Sequence, residues 1–305
     1  GADVFIVFVE SYGATSFDRA DARFDASLRT LGTAVDEAGW SAASSFVTSP
    51  TFGGGSWLAH ATIMTGAEVR RSSAYDSFVA GGGETLADRF RAAGYRTIAL
   101  VPGIRSAWPQ GEALNVDRIV PAAGLEYSGA PFGWFEIPDQ VSLAWLQRHE
   151  LAVAGRRPVF AFFPTVMSHA PFGPLPDYVP DWSRVLDGGD LGSPRSSSLG
   201  RLHWNAWAGR YVDAISYELQ VLAGFVRERA ANDTLIIVLG DHQPAAIVSG
   251  RAARWDVPVH ILASRPGLIA PFIAGSFTPG LQLQGAAAGG MPLLTRLLLE
   301  GFDGG

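Results

Sequence analysis

The 305-residue chain contains no cysteine, and all 23 of its basic residues are arginine. Without cysteine there is no disulfide scaffold, no Cys-rich zinc site, no iron–sulfur cluster and no thiol nucleophile. The compartment stays open, because a cysteine-free chain suits oxidising and reducing surroundings alike. Without lysine there is neither Schiff-base chemistry nor a Lys-dependent phosphate loop. Charge is sparse at 17%, and a net charge of −6 leaves no basic excess to neutralise phosphates, so no nucleic-acid partner is expected. No apolar run approaches the ~18 residues a membrane helix needs, and no signal peptide is visible. What is present is apolar bulk, 48% of the chain, which supports a sizeable core and argues against disorder. The length is about twice that of a usual domain. No internal repeat and no strong boundary divides it, so a single catalytic domain over residues 1–305 is expected.

Strand and helix patterns alternate. The run Val4-Phe5-Ile6-Val7-Phe8-Val9 is continuously apolar, as in a strand buried on both faces. Phe24, Leu28, Leu31 and Val35 recur at helical spacing within 17–39. Helices are also predicted over 84–93, 140–149, 211–230 and 291–299, and strands over 97–101, 158–163, 234–239 and 257–262. This alternation predicts an α/β fold with a mostly parallel central sheet flanked by helices on both faces. Its chemistry is expected at the carboxyl ends of the strands. Residues 173–205, rich in Pro, Gly, Ser and Asp, read as a long excursion over that active face.

The strand ends carry the chemistry. The first closes on Glu10-Ser11-Tyr12-Gly13, and the strand over 234–239 closes on Gly240-Asp241-His242-Gln243-Pro244. Carboxylate oxygens with an imidazole suit a divalent zinc or manganese ion. A cap or turn role is the alternative for each, evenly balanced for Glu10 alone and less favoured for the adjacent Asp241-His242. Gly53-Gly54-Gly55-Ser56 is a glycine-rich turn running into an amphipathic segment, where backbone N–H groups can approach an anion. Ser56 at that first turn is a candidate nucleophile; in isolation it reads as a plain N-cap.

Together these segments resemble the alkaline phosphatase superfamily in its sulfatase-like branch. The sulfatase stretch Cys/Ser-x-Pro-x-Arg-x-x-x-Leu-Thr-Gly, laid on this chain without a gap, puts the nucleophile at Ser56 and its end at Thr65-Gly66. Leu58 and His60 replace the Pro and Arg that direct formylglycine formation, so an unmodified serine is expected. A better resemblance is to the extracytoplasmic domains of lipoteichoic acid synthases and of phosphoglycerol or phosphoethanolamine transferases. It rests on Glu10-Ser11-Tyr12-Gly13, Ser56, Ser106-Ala107-Trp108-Pro109, Gly133-Trp134 to Asp139, Ser168-His169-Ala170-Pro171-Phe172 and Asp241-His242, in order over most of residues 4–262.

The resemblance implies a metal-dependent phosphotransferase with Ser56 as nucleophile. The phosphodiester substrate would carry a lipid head group or an envelope glycan; a phosphate, phosphonate or sulfate ester hydrolase is the alternative. It implies one divalent metal, manganese favoured and zinc or magnesium also suitable, held by Glu10, Ser56, Asp241 and His242. Two-metal relatives carry Asp where this chain has Thr165, and also a late histidine; His260, inside an apolar strand, reads instead as a core residue. His169 is the candidate for contacting the phosphate or protonating the leaving group. His60, Arg105, Trp108, Gln110 and His203 are candidate substrate contacts, Gln110 standing where the relatives carry a phosphate-binding Arg. Trp57, Trp108, Trp134, Trp182, Trp204 and Trp207 are expected near the active face, and His149 is expected as a solvated helix end. The abrupt entry at Gly1-Ala2-Asp3 suggests an excised or processed domain. The expected setting is periplasmic or extracytoplasmic, with a membrane tether upstream.

Overall fold

Six consecutive apolar residues need cover on both faces, and the strand they form takes the middle of the sheet. A computed structural model describes residues 1–187, 191–194, 205–283 and 285–302. Its strands are β1 (Asp3–Val9), β2 (Ser41–Thr48), β3 (Arg96–Val101), β4 (Arg118–Pro121), β5 (Val159–Pro164), β6 (Thr234–Gly240), β7 (Asp256–Ala263) and β8 (Thr278–Pro279). They lie in the order β4-β3-β5-β1-β6-β7-β2-β8. From β4 to β6 every neighbour is parallel; β7 is antiparallel to both β6 and β2, and β2 is antiparallel to β8. The sheet is therefore mostly parallel, with an antiparallel flank.

The helices are α1 (Thr15–Asp18), α2 (Ala22–Glu37), α3 (Ser56–Thr65), α4 (Ser72–Gly81) and α5 (Leu86–Ala92), followed by α6 (Asp139–Leu146), α7 (Asn205–Glu228), α8 (Ala246–Ser249), α9 (Pro266–Ala274) and α10 (Pro292–Phe302). Alternation along β1 splits the core. Phe5, Val7 and Val9 pack with α2, α6 and α7, whereas Val4, Ile6 and Phe8 pack with α3, α5, α9 and α10. Among the described residues no helix is long and apolar enough to cross a membrane.

Three expectations are corrected. The helix read over 17–39 is interrupted after Asp18, and Asp21 starts α2 afresh by accepting from Arg23 N at 2.9 Å. The strand β2 went unread because Ser41-Ala42-Ala43-Ser44-Ser45 lacks bulk, although most of it is buried. The described part of the excursion over 173–205 leaves the carboxyl edge between Asp177 and Leu191, which are joined by Asp177 N donating to Leu191 O at 2.9 Å. By Trp182 it has reached the opposite end of α7, where the indole is buried against Phe225 and donates to Tyr178 OH at 3.2 Å. Apolar side chains at Val179, Trp182 and Val185 draw it onto the flank of α6 and α7, so Trp182 is a core residue.

Candidate active site

Three chain segments converge at the carboxyl edge. Glu10 leaves β1 and Asp241-His242 leaves β6, and these strands are adjacent and parallel. The third is the 51–56 turn, stitched to the second by Gly53 N donating to Gln243 O at 3.0 Å. Gly55 has φ +81°, and a Cβ there would lie 2.9 Å from Thr51 Oγ1, so the sharp entry to α3 requires glycine. Gly55, not Ser56, is the N-cap. Ser56 is thereby released from capping, and its Oγ donates to Glu10 Oε2 at 3.0 Å and lies 3.2 Å from His242 Nε2.

Hydrogen bonds from neighbouring groups fix each side chain. Asp241 is wholly buried, and its Oδ1 accepts from Ser11 N at 2.8 Å and His242 N at 2.7 Å. Its Oδ2 has no hydrogen-bond partner. His242 donates Nδ1–H to Gln243 O at 2.8 Å, which turns Nε2 into the cavity, 3.4 Å from Glu10 Oε1 and 3.6 Å from Asp241 Oδ2. Ser11 sits at φ 60°, outside the usual range for a residue with a side chain, and there its hydroxyl donates to Glu10 Oε1 at 2.9 Å. Tyr211 OH holds that conformation by donating to Ser11 O at 3.0 Å.

Burial, and then the Glu10 charge, push Asp241 up to about 6. Burial opposes protonation of His242, yet the Asp241 and Glu10 carboxylates raise it above its ordinary value. Two carboxylates and an imidazole thus face one another around an orphaned oxygen. Glu10, Asp241 and His242 offer ligand atoms within 4.8 Å of one another, and no other such group exists among the described residues. Oxygen donors with one imidazole and a hydroxyl fit a divalent ion such as manganese, zinc or magnesium.

The remaining candidates divide. His169 donates Nδ1–H to Ala170 O at 2.6 Å and lies edge-on to Phe135 at 5.0 Å. Burial lowers its pKa, and Asp241 and His242 are close enough to act on it. His60 is wedged against Phe8 and Phe162 with Nε2 unpartnered, and burial takes it down to about 4. A small hollow of about 30 Å³ beside α3 is lined by His60, Trp57, Trp108, Gln110, Tyr75 and Phe78. Arg105 pairs with Glu136 at 2.9 Å on the surface rather than with anything in the hollow. Trp134 and Trp57 are exposed, while Trp207 packs on Phe172. His203 and Trp204 lie outside the described residues.

His260 and Thr165 are engaged elsewhere. Ser44 gives its proton to Gly280 O, so His260 donates Nδ1–H to Ser44 Oγ at 2.7 Å and accepts from Tyr12 OH at 3.0 Å on Nε2. Thr165 Oγ1 accepts from Glu10 N at 3.2 Å. His149, in the turn that extends α6, stacks on Trp145 at 4.8 Å.

No protein-family model and no curated protein matches the sequence. Solved structures do match the fold. An alkaline phosphatase superfamily protein from Vibrio parahaemolyticus shares 18% identity over 97% of this chain and 66% of its own, with a TM-score of 0.58. The lipoteichoic acid synthase LtaP from Listeria monocytogenes shares 15% over 86% of this chain and 65% of its own, TM-score 0.59. The Streptococcus pyogenes phosphoglycerol transferase GacH, solved with sn-glycerol-1-phosphate, shares 12% over 98% of this chain and 74% of its own, TM-score 0.63. The chain spans about two thirds of the length of the first two. The fold is that of the alkaline phosphatase superfamily.

Proposed function

We propose that the chain is a divalent-metal-dependent phosphotransferase that uses Ser56 as a covalent nucleophile on a phosphodiester. The observation that carries this is Ser56 Oγ, freed from capping and held 3.0 Å from Glu10 and 3.2 Å from His242 beside the unpartnered Asp241 oxygen. Glu10, Ser56, Asp241 and His242 would hold one ion; when bound, it supplies Lewis-acid polarisation and stabilises charge on the phosphoryl oxygens.

The chain's own groups account for the rest. Ser56 points its proton at Glu10, leaving oxygen lone pairs for in-line attack on phosphorus. The first turn of α3 presents a helix N-terminus to the anionic phosphoryl group. Transfer joins Oγ to phosphorus as the P–O bond to the leaving group breaks, the Ser56 proton passing by way of Glu10 to the leaving alkoxide, and an acceptor hydroxyl or water then breaks the Oγ–P bond. His169 has its Nδ1 proton committed to Ala170 O and a lowered pKa, so at neutral pH Nε2 carries a lone pair that can take the incoming hydroxyl's proton. His60, Trp108 and Gln110 gather around the small hollow beside α3 and are assigned as substrate contacts. A lipid head group or an envelope glycan bearing phosphoglycerol or phosphoethanolamine is the substrate class assigned, and the setting is extracytoplasmic with an upstream tether.

The test is metal analysis followed by a screen of aryl phosphate mono- and diesters and aryl sulfates. One ion per chain and a preference for diesters support the reading. A formylglycine mass at position 56 with sulfate turnover overturns it in favour of a sulfatase. The complete reading frame and cell fractionation test the location, and a cytosolic product would defeat it.

A further inference from the structure

Asp139 opens α6 and Glu218 lies midway along α7, and both side chains are wholly buried. Asp139 accepts from Val166 N through both oxygens, at 3.0 and 2.9 Å, and from Met167 N at 2.7 Å. Those N–H groups belong to the turn leaving β5, which runs from Thr165, the partner of Glu10 N, to His169. Glu218 meets the Asp139 carboxyl, the Thr165 hydroxyl and the backbone at Ser168, with Tyr217 beside it. Neither of its oxygens completes a well-formed hydrogen bond with these neighbours.

Two ionised carboxylates cannot share a dry pocket, so one must keep a proton. Asp139 faces backbone N–H donors, which favour its charged form. Glu218 faces the Asp139 charge, which favours its neutral form. Burial and that charge accordingly raise Glu218 well above its ordinary value.

We propose that Glu218 is a neutral acid that donates its O–H to Asp139, and that this shared proton holds Asp139 as the clamp shaping the 165–169 turn. The pair is a positioning device for the site, since one end of the turn anchors the Glu10 backbone and the other carries His169; this rests on the phosphotransferase reading above. No proton moves between the pair and substrate.

The experiment compares Glu218→Gln, Glu218→Leu and Asp139→Asn as metal-loaded full chains on an aryl phosphodiester, with infrared spectra at neutral pH. Glu218→Gln keeps an N–H donor to Asp139 and should retain kcat within about twofold. Glu218→Leu removes the donor, and Asp139→Asn turns an N–H against Val166 or Met167, so kcat should fall by about a hundredfold, the scale of a small misplacement. The wild-type spectrum should contain a protonated-carboxyl band that Glu218→Gln lacks. Absence of that band, or a Glu218→Gln enzyme as slow as Glu218→Leu, overturns the proposal. Should Glu218→Leu not fold, the band and the Gln variant still decide. A wild type inactive on every phosphoester would defeat the catalytic reading alone, because the band reports the proton without turnover.

Discussion

Asp3 and Asp241 are both buried carboxylates, at opposite edges of the same sheet, and their surroundings are opposite in kind. At the amino edge Asp3 accepts from Val159 N at 2.9 Å and from Arg156 at 2.7 and 2.6 Å, and it is also bonded by Arg229, whose side chain is almost wholly buried. Its charge is balanced and its lone pairs are used. At the carboxyl edge Asp241 faces Glu10, keeps one oxygen bare and has imidazoles rather than guanidiniums nearby. The first arrangement joins β1, β5 and the end of α7 into one unit. The second concentrates like charge where the fold has nothing to neutralise it, which is the mark of a site built for a ligand.

The sharpest break in this contrast is Asp241→Ala. It should strip the ion and cut turnover of an aryl phosphodiester by about a thousandfold or more, as loss of several kcal/mol of charge stabilisation requires. Metal analysis with steady-state kinetics checks both, and an active variant retaining one ion would remove Asp241 from the ligand set. Ser56→Ala should also abolish turnover, but with three of the four ligands kept it should weaken ion binding rather than strip it, and the unfolding free energy should stay within about 1 kcal/mol of wild type, since Gly55 does the capping.

Asp3→Ala should act in the opposite direction. Breaking a buried pair costs about 3–5 kcal/mol, so denaturant unfolding should shift strongly while kcat of the folded fraction stays unchanged. A kcat loss without destabilisation would erase the distinction between the edges. The smallest effect concerns His260, whose folded pKa burial brings down to about 3 from 6.5. The unfolded chain binds this proton first, so stability is full above about 6.5 and declines as pH falls toward 3. His260→Gln should flatten that acid limb in urea titrations, and an unchanged limb would show that His260 does not contribute.

The same contrast explains what could be read in the chain. β1 and β6 announce themselves as apolar runs, and Glu10 and Asp241-His242 follow them directly, so the residues of the candidate metal site were legible. Ser56 was legible as a position, but only Gly55 at φ +81° shows why it is free of the capping role. Asp139 was visible as a motif end without a role. Glu218 was not visible at all, because an acidic residue inside a helix is usually on a solvated face. The contact between Tyr211 and Ser11 escaped for a related reason: it joins a side-chain hydroxyl to a backbone carbonyl 200 positions away, which no local pattern encodes. Trp182 was misplaced because an aromatic in a polar stretch reads equally well as a platform or as an anchor.

The position of β1 also bears on how the chain comes to be made. Val4 pairs with Phe160 on one side and with Leu235 on the other. At about 5–20 residues per second of synthesis, the second partner emerges on the order of ten seconds or more after β1. Until β5 emerges, Val4 to Val9 has both edges unsatisfied, and one edge stays open to any other strand it meets until β6 follows. The ribosome must therefore release most of this fold before its centre can close, and chaperone supply during synthesis, more than final stability, should govern the yield of soluble protein.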